Sequence, residues 1–294
     1  MLAKANFWRM LLNTKLNRRT ILMVLISSSC GLSQADVIYS NNFETPGTAL
    51  NGLSASGTLT SLSTVSLPTD SGGISSANQS TWLGDIGYNV DKVVGTPEDV
   101  TLSLSGLVAG STYAVSFDLF IGSSWDGSAG NFDGTQYGPD EWGLFASSGT
   151  DNSTLVDATF SNCAPTICGA PSPQTYSDAT PTAGLGGTTF PVRTGADFSS
   201  DTSLTFHQDY AIYYFGYGSG NPVLTFTAGA STATLNFERI SGTTDSPDEY
   251  WALDNILVTG AQAGSSTPEP GTLLLLLTGM AWVGLYRPLS LRNN

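Results

Sequence analysis

Apolar and polar residues alternate with a period of two along much of the central chain. The clearest run is Thr112-Tyr-Ala-Val-Ser-Phe-Asp-Leu-Phe-Ile121, where Tyr113, Val115, Phe117, Leu119 and Ile121 fall on one face. Successive strand side chains point to opposite faces, so this run predicts a strand with those five residues turned to a core. Residues 232–238 alternate likewise, with Ala233, Leu235 and Phe237 inward. Shorter runs rich in Val, Thr, Phe and Tyr predict strands at 100–104, 141–145, 154–156, 203–206, 210–215 and 223–226. Clusters of Ser, Gly, Asn and Asp separate these runs, and no apolar stripe of helical period lies between them. About ten strands without intervening helices predict an all-β fold, a single antiparallel β-sandwich over residues 36–262. Trp142, Trp251 and Phe117 are expected in its core.

Composition agrees with a packed β domain. Of 294 residues, 40% are hydrophobic, only 12% are charged, and 33 are Gly, a profile unlike a Glu- and Lys-rich helical bundle. The charge is strongly acidic and unevenly placed. Seven of the ten basic residues lie outside residues 36–270, which leaves that segment Lys92, Arg193 and Arg239 against all 24 acids, a net charge of −21. Such a surface repels phosphate backbones and argues against a nucleic-acid partner.

The two ends read as addresses rather than as fold. A basic stretch ending in Arg18-Arg19, an apolar run Thr20–Ile26 and small residues up to Ser33-Gln34-Ala35 form an export signal over residues 1–35. Starting at Met10 would shorten it to 26 residues. At the other end, the polar spacer 263–267 leads to Pro268-Glu269-Pro270, then sixteen uncharged residues, 271–286, then Arg287 and Arg292. As a helix rising ~1.5 Å per residue, the run would cover about 24 Å of a ~30 Å hydrocarbon core. The two arginines would hold its far end in the cytoplasm.

This order of tripeptide, apolar segment and basic end, over residues 268–294, resembles the PEP-CTERM sorting signal of Gram-negative bacteria. The resemblance implies that Pro268, Glu269 and Pro270 are recognised by an exosortase, an intramembrane protease. It further implies that 271–286 is a temporary transmembrane helix, and that the product goes to the cell surface or an exopolysaccharide matrix. Pro288 within the basic end and the presence of only two arginines there depart from the family pattern.

In an exported, oxidising compartment Cys163 and Cys168 are expected to form a disulfide, worth about 2 kcal/mol for so short a loop. A zinc site would need further ligands, and the chain has a single His, His207.

Residues 100–120, the opening Tyr39-Ser-Asn-Asn-Phe-Glu44 and the closing Trp251-Ala-Leu-Asp-Asn-Ile256 are similar to strands of jelly-roll carbohydrate-binding modules. The resemblance implies that first and last strands lie side by side and that Glu44 and Asp254 bind a structural Ca²⁺. Oxygen ligands are abundant elsewhere too, as Asp126-Gly127 and as the similar clusters Pro139-Asp140-Glu141-Trp142 and Pro247-Asp248-Glu249-Tyr250-Trp251. Sugar recognition needs exposed aromatic rings beside hydrogen-bonding groups, because a pyranose has an apolar face and a polar rim. Trp125, Tyr137 and Tyr217 stand in Gly-rich loops and are the candidates. A hydrolase would rest on His207, which no Gly-x-Ser-x-Gly elbow accompanies, or on carboxylate pairs drawn from Asp140, Glu141, Asp248 and Glu249. The expectation is a non-catalytic exported protein associated with exopolysaccharide, or alternatively a specific carbohydrate-binding module.

Overall fold

Fifteen strands and no helix make up the described residues of the computed structural model: 35–45, 50–57, 62–68, 79–86, 98–123, 125–128, 131–132, 135–136, 138–162, 172–200, 210–217, 220–241 and 249–263. Among them no helix is long and apolar enough to cross a membrane. The export signal up to Gln34, the sorting residues Pro268, Glu269 and Pro270, the apolar run 271–286, Arg287 and Arg292 lie outside them, as do Cys163, Cys168, Tyr137, His207 and the expected strand 203–206. Residues 35–263 form one compact unit.

The strands build two main antiparallel sheets. The eight-stranded sheet runs β11 (Phe198–Ser200), β12 (Tyr210–Phe215), β6 (Thr112–Ser123), β15 (Glu249–Gly260), β4 (Gln79–Ile86), β3 (Thr64–Pro68), with β1 (Asp36–Asn41) also pairing β15 and β13 (Leu224–Thr227) also pairing β6. The five-stranded sheet runs β10 (Asp151–Thr159), β9 (Glu141–Ser148), β14 (Thr232–Ser241), β5 (Glu98–Ser105), β2 (Leu53–Gly57), and β7 (Asn131–Phe132) pairs β8 (Thr135–Gln136) apart from both. The chain changes sheet from β4 to β5 to β6 to β9, and again from β13 to β14 to β15, which gives the sandwich its jelly-roll-like winding. The first and last strands pair directly, β1 along the second half of β15.

The core is the expected one. Tyr113, Val115, Phe117, Leu119 and Ile121 of β6 are all buried, as are Ala233, Leu235 and Phe237 of β14. Rings tie the sheets together: Phe117 meets Trp142 at 5.8 Å and Phe237 at 5.4 Å, and Trp142 meets Trp251 at 5.8 Å. Such edge and tilted contacts add about 0.5–1.5 kcal/mol each beyond the area they bury.

Simple alternation would leave the outer face of the eight-stranded sheet to water, and the structure departs from that. Trp82, Phe120, Tyr210, Ile212 and Ala252 form a second buried cluster there, with Tyr210 and Tyr250 stacked on Phe120 at 5.2 and 5.7 Å. Gly122 makes room for this layer, because a Cβ at that position would lie 2.2 Å from the Tyr250 ring. This face also carries the candidate site.

Candidate functional site

The site begins at a defect in the central strand pair. Asp254 of β15 faces Asp118 of β6 in register, but the next aligned pair is Leu257 with Ser116, so β15 carries a one-residue bulge. Asn255 occupies it with φ 52°, a left-handed conformation that Asn tolerates better than most residues. The bulge frees the Asn255 side chain to donate to the Asp118 carboxylate at 2.7 Å, while its backbone N–H donates to Asp254 at 2.7 Å.

Loops on either side close the site. After β1, the Phe43 N–H donates to Asn41 Oδ1 at 2.9 Å, turning the chain so that Glu44 reaches β4. There the Thr81 N–H and hydroxyl donate to Glu44 at 2.7 and 3.2 Å, and Ser80 donates to Asp254 at 3.1 Å. On the opposite flank, Gly216 leaves β12 with φ 83° and packs against Val115, where a Cβ would come within 2.5 Å of the carbonyl oxygen. That turn presents Tyr217, whose hydroxyl donates to the Asn255 carbonyl at 3.1 Å and also reaches the Asp118 carboxylate. The Tyr214 and Tyr217 rings meet edge to face at 5.8 Å.

Two adjoining cavities result. One of about 480 Å³ is lined by Ser40, Asp118, Tyr214, Tyr217, Asn255 and Leu257. The other, about 170 Å³, shares Asp118, Tyr214 and Asn255 and adds Glu44, Asp254 and Trp82 among its walls. Two carboxylates directly opposite on one sheet face repel each other. Burial, chiefly, and this repulsion push Asp254 up to about 7, while burial with the charge of Asp197 raises Asp118 to about 6. Burial and the neighbouring Asp118 also raise the Tyr217 phenol, which therefore stays a hydrogen-bond donor. The cleft thus offers two aromatic rings, an amide, a phenolic hydroxyl and carboxyl groups that titrate near neutrality.

The sequence candidates sort unevenly onto this geometry. Tyr217 is 48% exposed on the cleft, so its place suits a sugar contact. Trp125 does not: it is fully buried, and its indole N–H donates to the Tyr250 carbonyl at 3.2 Å. Its loop folds back into the body, where Asp126 bridges Ser161 and the Asn162 N–H donates to the Trp125 carbonyl at 2.8 Å. Trp125 is thus a packing residue rather than an exposed platform. Glu44 and Asp254 line one cavity, but all four of their carboxylate oxygens accept hydrogen bonds from Thr81, Ser80 or Asn255. Asp118, Tyr214 and Asn255 were not singled out by the sequence. Only strand pairing shows that Asp118 stands opposite Asp254, and only the bulge turns Asn255 toward it.

No family model and no curated protein matches the chain. Among solved structures, it is similar to the enzymatically active domain of tailspike protein 4 of Bacteriophage CBA120 at 12% identity and a TM-score of 0.30, over 75% of this chain but only 20% of that one. A carbohydrate-binding module studied for specific mannan recognition is 11% identical, with a TM-score of 0.32 over 78% of this chain and 100% of that one. A lectin from Bauhinia forficata, solved with GalNAc, is 10% identical, with a TM-score of 0.34 over 79% and 100% of the two chains. Similarity at this level carries no argument about a ligand, and the all-β sandwich stands on the strand pairing itself.

Proposed function

We propose that this is an exported, non-catalytic surface or matrix protein whose β-sandwich binds polysaccharide in the cleft between β1, β12 and the β15 bulge. The observation that carries the reading is the cavity of about 480 Å³ flanked by Tyr214 and Tyr217, with Asp118 and Asn255 at its polar wall. A ring face covers the apolar face of a pyranose, and the amide and carboxyl groups take hydrogen bonds from its hydroxyls. Delivery rests on the sequence alone. Residues 1–35 would direct export, 271–286 would hold the chain in the inner membrane, and Arg287 and Arg292 would orient it. An exosortase would then act at Pro268-Glu269-Pro270 and pass the protein to the surface or extracellular matrix of a Gram-negative cell.

A glycan array probed with the purified protein tests the binding claim. Saturable binding to at least one polysaccharide, weakened about tenfold by Tyr217→Ala, is expected. Absence of saturable binding across neutral, acidic and amino-sugar polymers would overturn it.

A further inference from the structure

The two cavities and the Tyr214 and Tyr217 rings make the cleft a place to bind, and the acids around them set what an occupant must bring. Asp118 lines both cavities, while Glu44 and Asp254 line the smaller. Tyr214 and Asn255 are shared as well, so a sugar ring held in the larger cavity can extend a substituent into the smaller.

The donors beside these acids are engaged within the fold. The Asn255 amide donates to Asp118, its backbone N–H and the Ser80 hydroxyl donate to Asp254, and Thr81 donates to both oxygens of Glu44. The Tyr217 hydroxyl is taken up by the Asn255 carbonyl and by Asp118. Glu44 and Asp254 thus each accept two hydrogen bonds of the roughly four that a carboxylate can take. Every one of these donors is neutral, and none of the described lining residues is basic. What the walls offer an occupant is chiefly acceptor capacity and negative charge.

Asp118 and Asp254 stand opposite each other in register, and both are buried. Glu44 after β1 adds its charge against Asp254, and Asp197 before β11 adds its own against Asp118. Burial first, and then this repulsion, already holds both carboxyls above their ordinary range. A neutral sugar entering the cleft strips water from the acids without offsetting their charge. A uronic acid adds a further like charge. An ammonium group brings three donors, no acceptor and the opposite charge.

We infer that the polysaccharide bound here carries free amino sugars, with a hexosamine ring against Tyr217 and its ammonium group facing Asp118, Asp254 and Glu44 in the smaller cavity. This rests on the polysaccharide reading of the same cleft and adds the charge of the ligand. The net charge of −21 over residues 36–270 draws a polycation toward the domain, and the cavity gives it one place to seat.

A glycan array carrying polymers of glucosamine and of galactosamine, each beside its fully N-acetylated form, together with neutral and uronic acid polymers, provides the test. At least one amino polymer is expected to bind the purified protein at least tenfold tighter than its N-acetylated form and than any neutral or acidic polymer, since hydrogen bonds to an ionised donor and acceptor are the stronger ones. Asp118→Asn and Glu44→Gln are each expected to weaken that binding at least tenfold. Glu44 is exposed, so its variant keeps the test open if Asp118→Asn fails to fold. Asp151→Asn, an exposed acid at the start of β10 in the other sheet, is expected to leave the affinity unchanged. Binding of an N-acetylated, neutral or acidic polymer as tightly as the best amino polymer would overturn the inference and leave the polysaccharide reading standing. Equal weakening by Asp151→Asn would reduce the binding to general attraction of a polycation and overturn it too. Absence of saturable binding to every polymer would instead remove the polysaccharide reading itself, and the amino-sugar inference with it.

Discussion

Replacing Asp254 by Asn probes the cost of the acidic pair at the bulge. In the folded chain the Asp254 carboxyl is pushed from 3.8 up to about 7, mainly by burial. Its folded value is above its unfolded one, so the folded state holds the proton more tightly. Stability is then full below the unfolded value, falls as pH rises toward the folded value, and is flat beyond it. A displacement of about three pH units corresponds to a ceiling of ~4 kcal/mol. The cavity beside Asp254 admits water, which reduces this to about 2 kcal/mol. Asn imitates the protonated acid, since its carbonyl oxygen still accepts from the Asn255 N–H and its amide faces the Ser80 hydroxyl. The variant is therefore expected to match the wild type near ~pH 4 and to exceed it by about 2 kcal/mol near ~pH 8, a rise of roughly 1 M in the urea midpoint. Urea unfolding in the presence of a chelator at both pH values measures this. A gap that stays constant with pH would refute the reasoning, as would a variant less stable than the wild type at the higher pH.

Two further perturbations separate packing from function. Trp125→Ala should lower stability by about 3–5 kcal/mol, as for other buried large aromatics, while leaving the glycan affinity of the folded fraction unchanged; thermal melts and binding at low temperature distinguish the two effects. Glu269→Ala should leave the protein in the membrane fraction of an exosortase-containing host, and normal processing would remove the sorting reading.

The fold was largely legible because alternation reports which side of a strand is dry. Tyr210–Phe215 begins and ends where its pattern indicated, and the five inward residues of β6 are all buried. The pattern did not show that the other face of the same sheet is also covered. Phe120 occupies a position that alternation assigns to solvent, and its burial depends on Trp82, Tyr210 and Tyr250, which are distant in sequence. Trp125 misled for a related reason. Gly and Ser neighbours mark a turn, but whether the turn projects or folds inward is decided by Asp140, Ser161 and Asn162. The site was half visible. Tyr217 stood out through its Gly-rich setting, whereas Asp118 looks like any polar residue on a solvated strand face until its pairing with Asp254 is known.

The central claim is that polysaccharide binds beside Tyr217, and calorimetric titration of the best array ligand into wild-type and Tyr217→Ala protein tests it most directly. Loss of one exposed stacking ring at the centre of a binding cleft should cost about 1.4 kcal/mol, a Kd about tenfold higher. An unchanged Kd in the folded variant would place the ligand elsewhere and contradict the account.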